Sequence, residues 1–79
     1  MTPIQSRMAR AALNWSVRKL AESAGVGSMT VNRFEGGIAE PKPATIARIR
    51  ATFEAAGVEF RDDGSVAPPA AQSDTMATE

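Results

Sequence analysis

The sequence predicts a mainly all-α fold of short helices, ended by a short C-terminal β-strand or hairpin. Three observations predict it. Apolar residues recur three or four positions apart in four successive segments, the period of a helix that buries one face. Each segment runs into a glycine or an asparagine, the residues that most readily adopt the left-handed conformation past a helix end. The period then falls to two at Val58-Glu59-Phe60-Arg61, as in a half-buried strand.

Taken in order, Thr2-Pro3-Ile4-Gln5 is a helix start, with Thr2 as N-cap, Pro3 at the first helical position and Gln5 completing a capping box. Ile4, Met8, Ala11, Ala12 and Trp15 follow at helical spacing and are expected to be the buried stripe, with Asn14 closing the helix. Ser16 is the next N-cap. Val17, Leu20, Ala21 and Ala24 form the apolar face of the second helix, which Gly25 stops. Gly27-Ser28 opens the third, whose inward residues are Val31 and Phe34, and Gly36-Gly37 ends it. Residues 38–42 make a short loop. Pro43 starts the fourth helix, with Ile46, Ile49, Arg50 and Phe53 at helical spacing and Gly57 at its end. Asp62-Asp63-Gly64 is a turn signal and Ser65-Val66 a brief return strand. From Ala67 onward no apolar periodicity remains, and residues 67–79 read as a disordered tail. The organisation expected is one domain over 1–66, with the tail outside it.

A chain of 79 residues holds one modest core, and domains of this size often gain stability by self-association. There is no cysteine and no histidine, so disulfides, thiolate metal sites and the commonest general base are excluded. No nucleophile–base pair is visible, and no enzyme activity is expected. No cofactor, metal or small-molecule ligand is implied. The apolar runs are too short to cross a membrane and the first residues do not read as an export signal, so a cytoplasmic location is the expectation. The formal net charge of zero hides an asymmetry. Residues 1–50 carry eight basic groups against three acidic ones, a net +5, and residues 51–79 carry one against six, a net −5. A basic body with an acidic end hints at a nucleic-acid partner.

Residues 17–36 form the unit that points to function. Eight helical residues, the bend Gly25-Val26-Gly27 and a second short helix must cross steeply. Gly25 supplies a positive φ, Ala21 lets the helices approach, Val26 plugs the turn, and Val31 and Phe34 anchor the second helix. The outer face of that helix is then Ser28, Met29, Thr30, Asn32 and Arg33. In a helix-turn-helix this face enters the major groove, where Asn suits adenine, Arg suits guanine and an apolar side chain meets the thymine methyl. Ser16, Val17, Arg18 and Lys19 would face phosphates across the first turn of the preceding helix. Trp15 reads as core, not as a base-stacking aromatic, and Met8 likewise.

Leu13-Asn14-Trp15-Ser16, Leu20-Ala21-Glu22-Ser23-Ala24-Gly25-Val26, Thr30-Val31-Asn32-Arg33-Phe34-Glu35 and Pro43-Ala44-Thr45-Ile46 resemble the corresponding strings of Cro/lambda-repressor-like, or XRE, helix-turn-helix regulators. Ala55 to Phe60 is similar to a compact subgroup ending in a short strand. The resemblance implies a lambda-repressor-like domain of four to five helices, usually dimeric, that binds palindromic double-stranded DNA to regulate a promoter. It also implies a structural ion pair between Arg10 and Glu35. Two positions depart from the family pattern. Val17 stands where a glutamine usually touches the DNA backbone, and Gly27 stands where a serine usually caps the third helix.

One short recognition helix reads only a few base pairs, so a homodimer on two half-sites about one helical turn apart is expected. Phe53, Val58, Phe60 and Val66 are its expected contact residues, with strand pairing across the two-fold axis. Two other readings fit the same residues: an antitoxin whose tail folds on a toxin, and a protein-interaction module that has kept this fold and lost DNA.

Overall fold

A computed structural model describes residues 1–69. Its order is α1 (Pro3–Leu13), α2 (Val17–Ala24), α3 (Ser28–Glu35), α4 (Pro43–Ala55), β1 (Glu59–Phe60) and β2 (Val66–Ala67). The fold is mainly helical with a two-stranded antiparallel hairpin, pairing Glu59 with Ala67 and Phe60 with Val66.

Local chemistry sets each helix start. The Thr2 hydroxyl accepts from the Gln5 N–H at 3.1 Å, and the Thr2 N–H donates to Gln5 Oε1 at 2.8 Å, which completes the capping box. Ser16 Oγ accepts from the Lys19 N–H at 3.0 Å. All four helices end alike. A left-handed residue follows each helix, directly after α1 and α2 (Asn14, Gly25) and one residue later after α3 and α4 (Gly37, Gly57), and the next N–H reaches back over the last turn: Trp15 to the Arg10 carbonyl, Val26 to Ala21, Ile38 to Arg33 and Val58 to Phe53. At Gly25, φ is +70°, a value at which a side chain would be strained. Gly57 is doubly required, because φ is +99° and a Cβ there would lie 2.9 Å from Pro69 Cβ.

The core lies where α2, α3 and α4 meet. Leu20, Val31, Ile49 and Phe53 are fully buried with Ala9, and Ala21, Ala24 and Val58 complete the cluster. Trp15 is partly buried and stacks on Phe53 with ring centroids 6.1 Å apart. Phe60 covers another side of Phe53 at 6.0 Å, and the Arg50 guanidinium lies over the Phe60 ring at 5.1 Å. The hairpin turn is closed by Asp63, whose carboxylate accepts from the Ser65 hydroxyl at 2.7 Å and the Ser65 N–H at 2.9 Å. Those bonds hold its carboxyl below the usual carboxylate range.

Three expectations need correction. Ile4 is 58% exposed and Met8 38%, so the expected stripe of α1 is not its buried face and Met8 is not core. The buried residues of α1 are Ser6 and Ala9, with Leu13 packed against the core. The helix is turned so that Ser6 and Arg10 meet a buried carboxylate. Phe53 and Val58 are closed inside the monomer and offer nothing to a partner, while Phe60 and Val66 are already packed against the core from one side. Finally, Ala67 belongs to β2 and Pro69 packs on Gly57, so the expected boundary after residue 66 falls inside the hairpin. The rest of the expected tail, residues 70–79, lies outside the described residues.

Phe53 is fully buried and packs with both Trp15 and Phe60, so Phe53→Ala is expected to cost about 3–5 kcal/mol of unfolding free energy. Ile4→Ser should stay within about 0.5 kcal/mol. Urea denaturation monitored by circular dichroism measures both.

Candidate nucleic-acid interface

The bend between α2 and α3 spans three residues, Gly25 to Gly27. The Gly25 N–H donates to the Glu22 carbonyl at 3.3 Å and the Val26 N–H to the Ala21 carbonyl at 3.0 Å. These bonds close α2 at the point where the chain must turn. Val26 packs against the core as a plug. Val31, Phe34 and Glu35 are the buried residues of α3. Burying positions 31, 34 and 35 leaves the opposite face outward. Ser28, Met29, Asn32 and Arg33 are exposed there, and Thr30 is half-buried.

The N-terminus of α3 has Gly27 as its cap and no side-chain capping bond, so its first backbone N–H groups point outward without an intramolecular acceptor from the cap. At the start of α2, Ser16, Arg18 and Lys19 are exposed. The Ser16 oxygen accepts its capping bond, and its O–H proton remains available to donate. Val17 lies on the apolar face of α2, as its hydropathy predicts, so its side chain does not take the DNA-facing role that its family position suggests. Its side chain is half-buried and packs against the core, because an aliphatic group at that position gains more from the core than from water. What Val17 offers outward is its backbone N–H.

The charges divide into paired and unpaired sets. Arg18 pairs with Glu22 at 3.4 Å, Arg50 with Glu54 at 3.0 Å and Arg61 with Glu59 at 3.5 Å, all on the surface, where such pairs contribute little. Among the described residues, Arg7, Lys19, Arg33, Lys42 and Arg48 have no carboxylate partner. All five precede residue 50, so the basic half of the chain keeps uncompensated positive charge, with Arg7 and Arg48 also donating to the Glu35 and Gly25 carbonyls. Lys19 Nζ lies 5.8 Å from the centre of the Trp15 ring, which steadies the ammonium at the surface.

Behind this face sits a buried anchor. The Glu35 side chain is only 5% exposed. Its carboxylate accepts from Arg10 Nη2 at 2.7 Å, from Arg10 Nε at 2.9 and 3.1 Å, and from the Ser6 hydroxyl at 2.6 Å. Arg10 Nη1 donates to the Trp15 carbonyl at 3.1 Å. Arg7 Nη1 donates to the Glu35 carbonyl at 2.6 Å and so satisfies the end of α3. The hydrogen bonds to Glu35 raise the Arg10 pKa above its already high ordinary value, so Arg10 stays charged at any working pH. No buried polar side-chain atom among the described residues is left without a partner.

Ser6 and Arg7 were not singled out by sequence. Ser6 lies one helical turn before Arg10 and therefore shares its face, a spacing that a search for polar partners on α1 would have found.

Removing one partner strands the other charge inside. Glu35→Ala is therefore expected to cost about 3–5 kcal/mol of stability, read as a lower denaturation midpoint. An unchanged midpoint would show that the pair holds nothing.

The helix-turn-helix family model matches residues 7–56, from the second turn of α1 to the end of α4, and stops short of the hairpin. No curated protein matches the chain. No helix among the described residues is long and apolar enough to cross a membrane. A match over more than half of the chain, with the bend and the outward face of α3 in place, settles the family: this chain belongs to the helix-turn-helix family of Cro/lambda-repressor-like (XRE) DNA-binding regulators.

Proposed function

We propose that the chain is a sequence-specific transcription regulator that binds a palindromic operator as a homodimer through the major groove. The carrying observation is the outward face of α3, held by a buried ion pair at one end and a three-residue bend at the other. Asn32 is suited to adenine through a bidentate amide contact, and Arg33 to guanine O6 and N7. Ser28 and Thr30 supply hydroxyls to base edges or phosphates. Ser16, the Val17 N–H, Arg18 and Lys19 position the domain on the phosphates, aided by the N-terminus of α2. Arg18 leaves only an exposed pair with Glu22 to do so, at little cost.

An eight-residue recognition helix spans too few base pairs for a rare site, and a two-fold axis doubles the sequence read. Each strand of the hairpin pairs on one side, and the described residues leave the other side unpaired. Strand pairing across the axis, with the outer parts of Phe60 and Val66 at the contact, satisfies those edges. The unit that carries this activity is the folded domain ending in the hairpin. An operator overlapping a promoter gives repression, and one just upstream gives activation.

Footprinting on the DNA upstream of the chain's own gene tests the reading. Arg33→Ala and Asn32→Ala should each cost about 1–3 kcal/mol of operator affinity and relax specificity at one position. Lys19→Ala should weaken binding evenly across sequences and reduce the salt slope by about one. Loss of affinity without any change in sequence preference in the first two variants would contradict base contact by α3. Sedimentation tests the homodimer separately, and a purely monomeric chain both free and on the operator would end that part of the proposal.

A further inference from the structure

Ile4 is 58% exposed, Met8 38% and Ile38 78%, and all three belong to α1 or to a groove beside its first turn. Ile4, Met8 and Ala11 follow one another at helical spacing on the side of α1 turned away from the core, and all three are exposed. They form an apolar stripe, with Arg7 set among them. At Pro3 the stripe adjoins the groove, which runs between the start of α1, the end of α3 and α4. Met1, Pro3, Phe34, Ile38 and Ile46 give the groove apolar walls, and Glu40 is its one charged side chain. Single exposed apolar residues need no explanation, but residues gathered in this way mark a contact surface.

The charges on this surface fit a second copy of the chain. Arg7 has no carboxylate partner among the described residues and uses only Nη1 on the Glu35 carbonyl, so Nε and Nη2 are left to donate. Of the three acids in residues 1–50, Glu22 and Glu35 are paired and Glu40 is not. A raised stripe with a free cation thus lies beside a groove with a free anion, and a two-fold rotation brings each onto its complement. We infer that α1 carries a self-association surface, in which the Ile4 and Met8 side chains of each copy enter the groove of the other and Arg7 of each pairs with Glu40 of the other. The contact is separate from strand pairing at the hairpin, so it joins two hairpin-linked dimers, and it does not depend on DNA being the ligand. It also explains the hydropathy of α1. Ser6, Ala9 and Arg10 turn one side of the helix to the monomer, and the apolar stripe is the side that a neighbouring copy covers.

Sedimentation of the full chain without DNA, over a range of concentrations, tests this. A species larger than the dimer is expected. Ile4→Ser and Ile38→Ser, one on the stripe and one in the groove, should each weaken that species about a hundredfold, since a two-fold contact loses two apolar side chains worth about tenfold apiece. Arg7→Glu and Glu40→Arg should each fail to form it alone, because like charges then meet. An equimolar mixture of those two variants should form it again, because every contact joins opposite charges once more. Circular dichroism checks that each variant folds. If the chain stops at the dimer and Ile4→Ser leaves that dimer intact, or if the mixed variants do not recover association, the α1 contact is wrong and the hairpin dimer stands. If Ile4→Ser turns a dimer into a monomer, the α1 contact is right and is itself the dimer, and the hairpin pairing falls. A monomer at every concentration removes both contacts.

Discussion

The carboxylate of Glu35 is the constraint around which the domain is arranged. A charge taken out of water in so small a core costs several kcal/mol unless every lone pair is matched. Here the matching falls to α1. Arg10 turns a fork of two nitrogens onto the carboxylate and Ser6 adds a hydroxyl. The third Arg10 nitrogen ties down the Trp15 carbonyl just beyond the same helix. One polar cluster thus joins the first helix, the end of the third and the entry to the second. The side of α1 that satisfies it must face inward, and Ile4 and Met8 are left in water as a result. Holding α3 by its C-terminal end frees its N-terminal half to stand out from the body.

Helix ends supply the second ordering principle. Asn14-Trp15, Gly25-Val26, Gly37-Ile38 and Gly57-Val58 are the same device, a left-handed residue followed by an apolar one whose N–H closes the last turn. At three of the four, the apolar residue packs against or within the core, so the end of one helix also aims the chain into the next element. Ile38 differs. It is 78% exposed, and the segment it begins runs past α3, where Ala39, Glu40 and Pro41 form one wall of a shallow notch beside Met29.

Much of this was legible in the sequence because it is local. Caps, breaks and the period of α2 and α3 depend on residues within one or two turns of each other, and the outward face of α3 follows from Val31 and Phe34 alone. The face of α1 was not legible from hydropathy, because a buried carboxylate 29 positions from Ser6 and 25 from Arg10 decides it and Ser6 carries no signal of its own. Val17 carried two readings, and its hydropathy was the better guide. Family position places it against DNA, whereas its chemistry places it against the core. Phe53 and Val58 stood out as apolar residues near the chain's end, but spacing along the chain does not tell whether such residues close a monomer or join two. The strand at Ala67 is set by its partner Glu59, and alanine has no strand preference that would announce it.

The hairpin closes a circuit between the two ends of the fold. Gln5 Nε2 reaches the Gly64 carbonyl at 3.3 Å across 59 positions of sequence, and β2 packs along α1. The other pairings span shorter stretches of sequence than this one, which favours rapid folding, since shorter loops close at less entropic cost. Docking of the hairpin on α1 closes the longest loop and returns few bonds. Such a contact is weakly held, so amide protons of β2 should exchange with solvent well before those of α2 and α4.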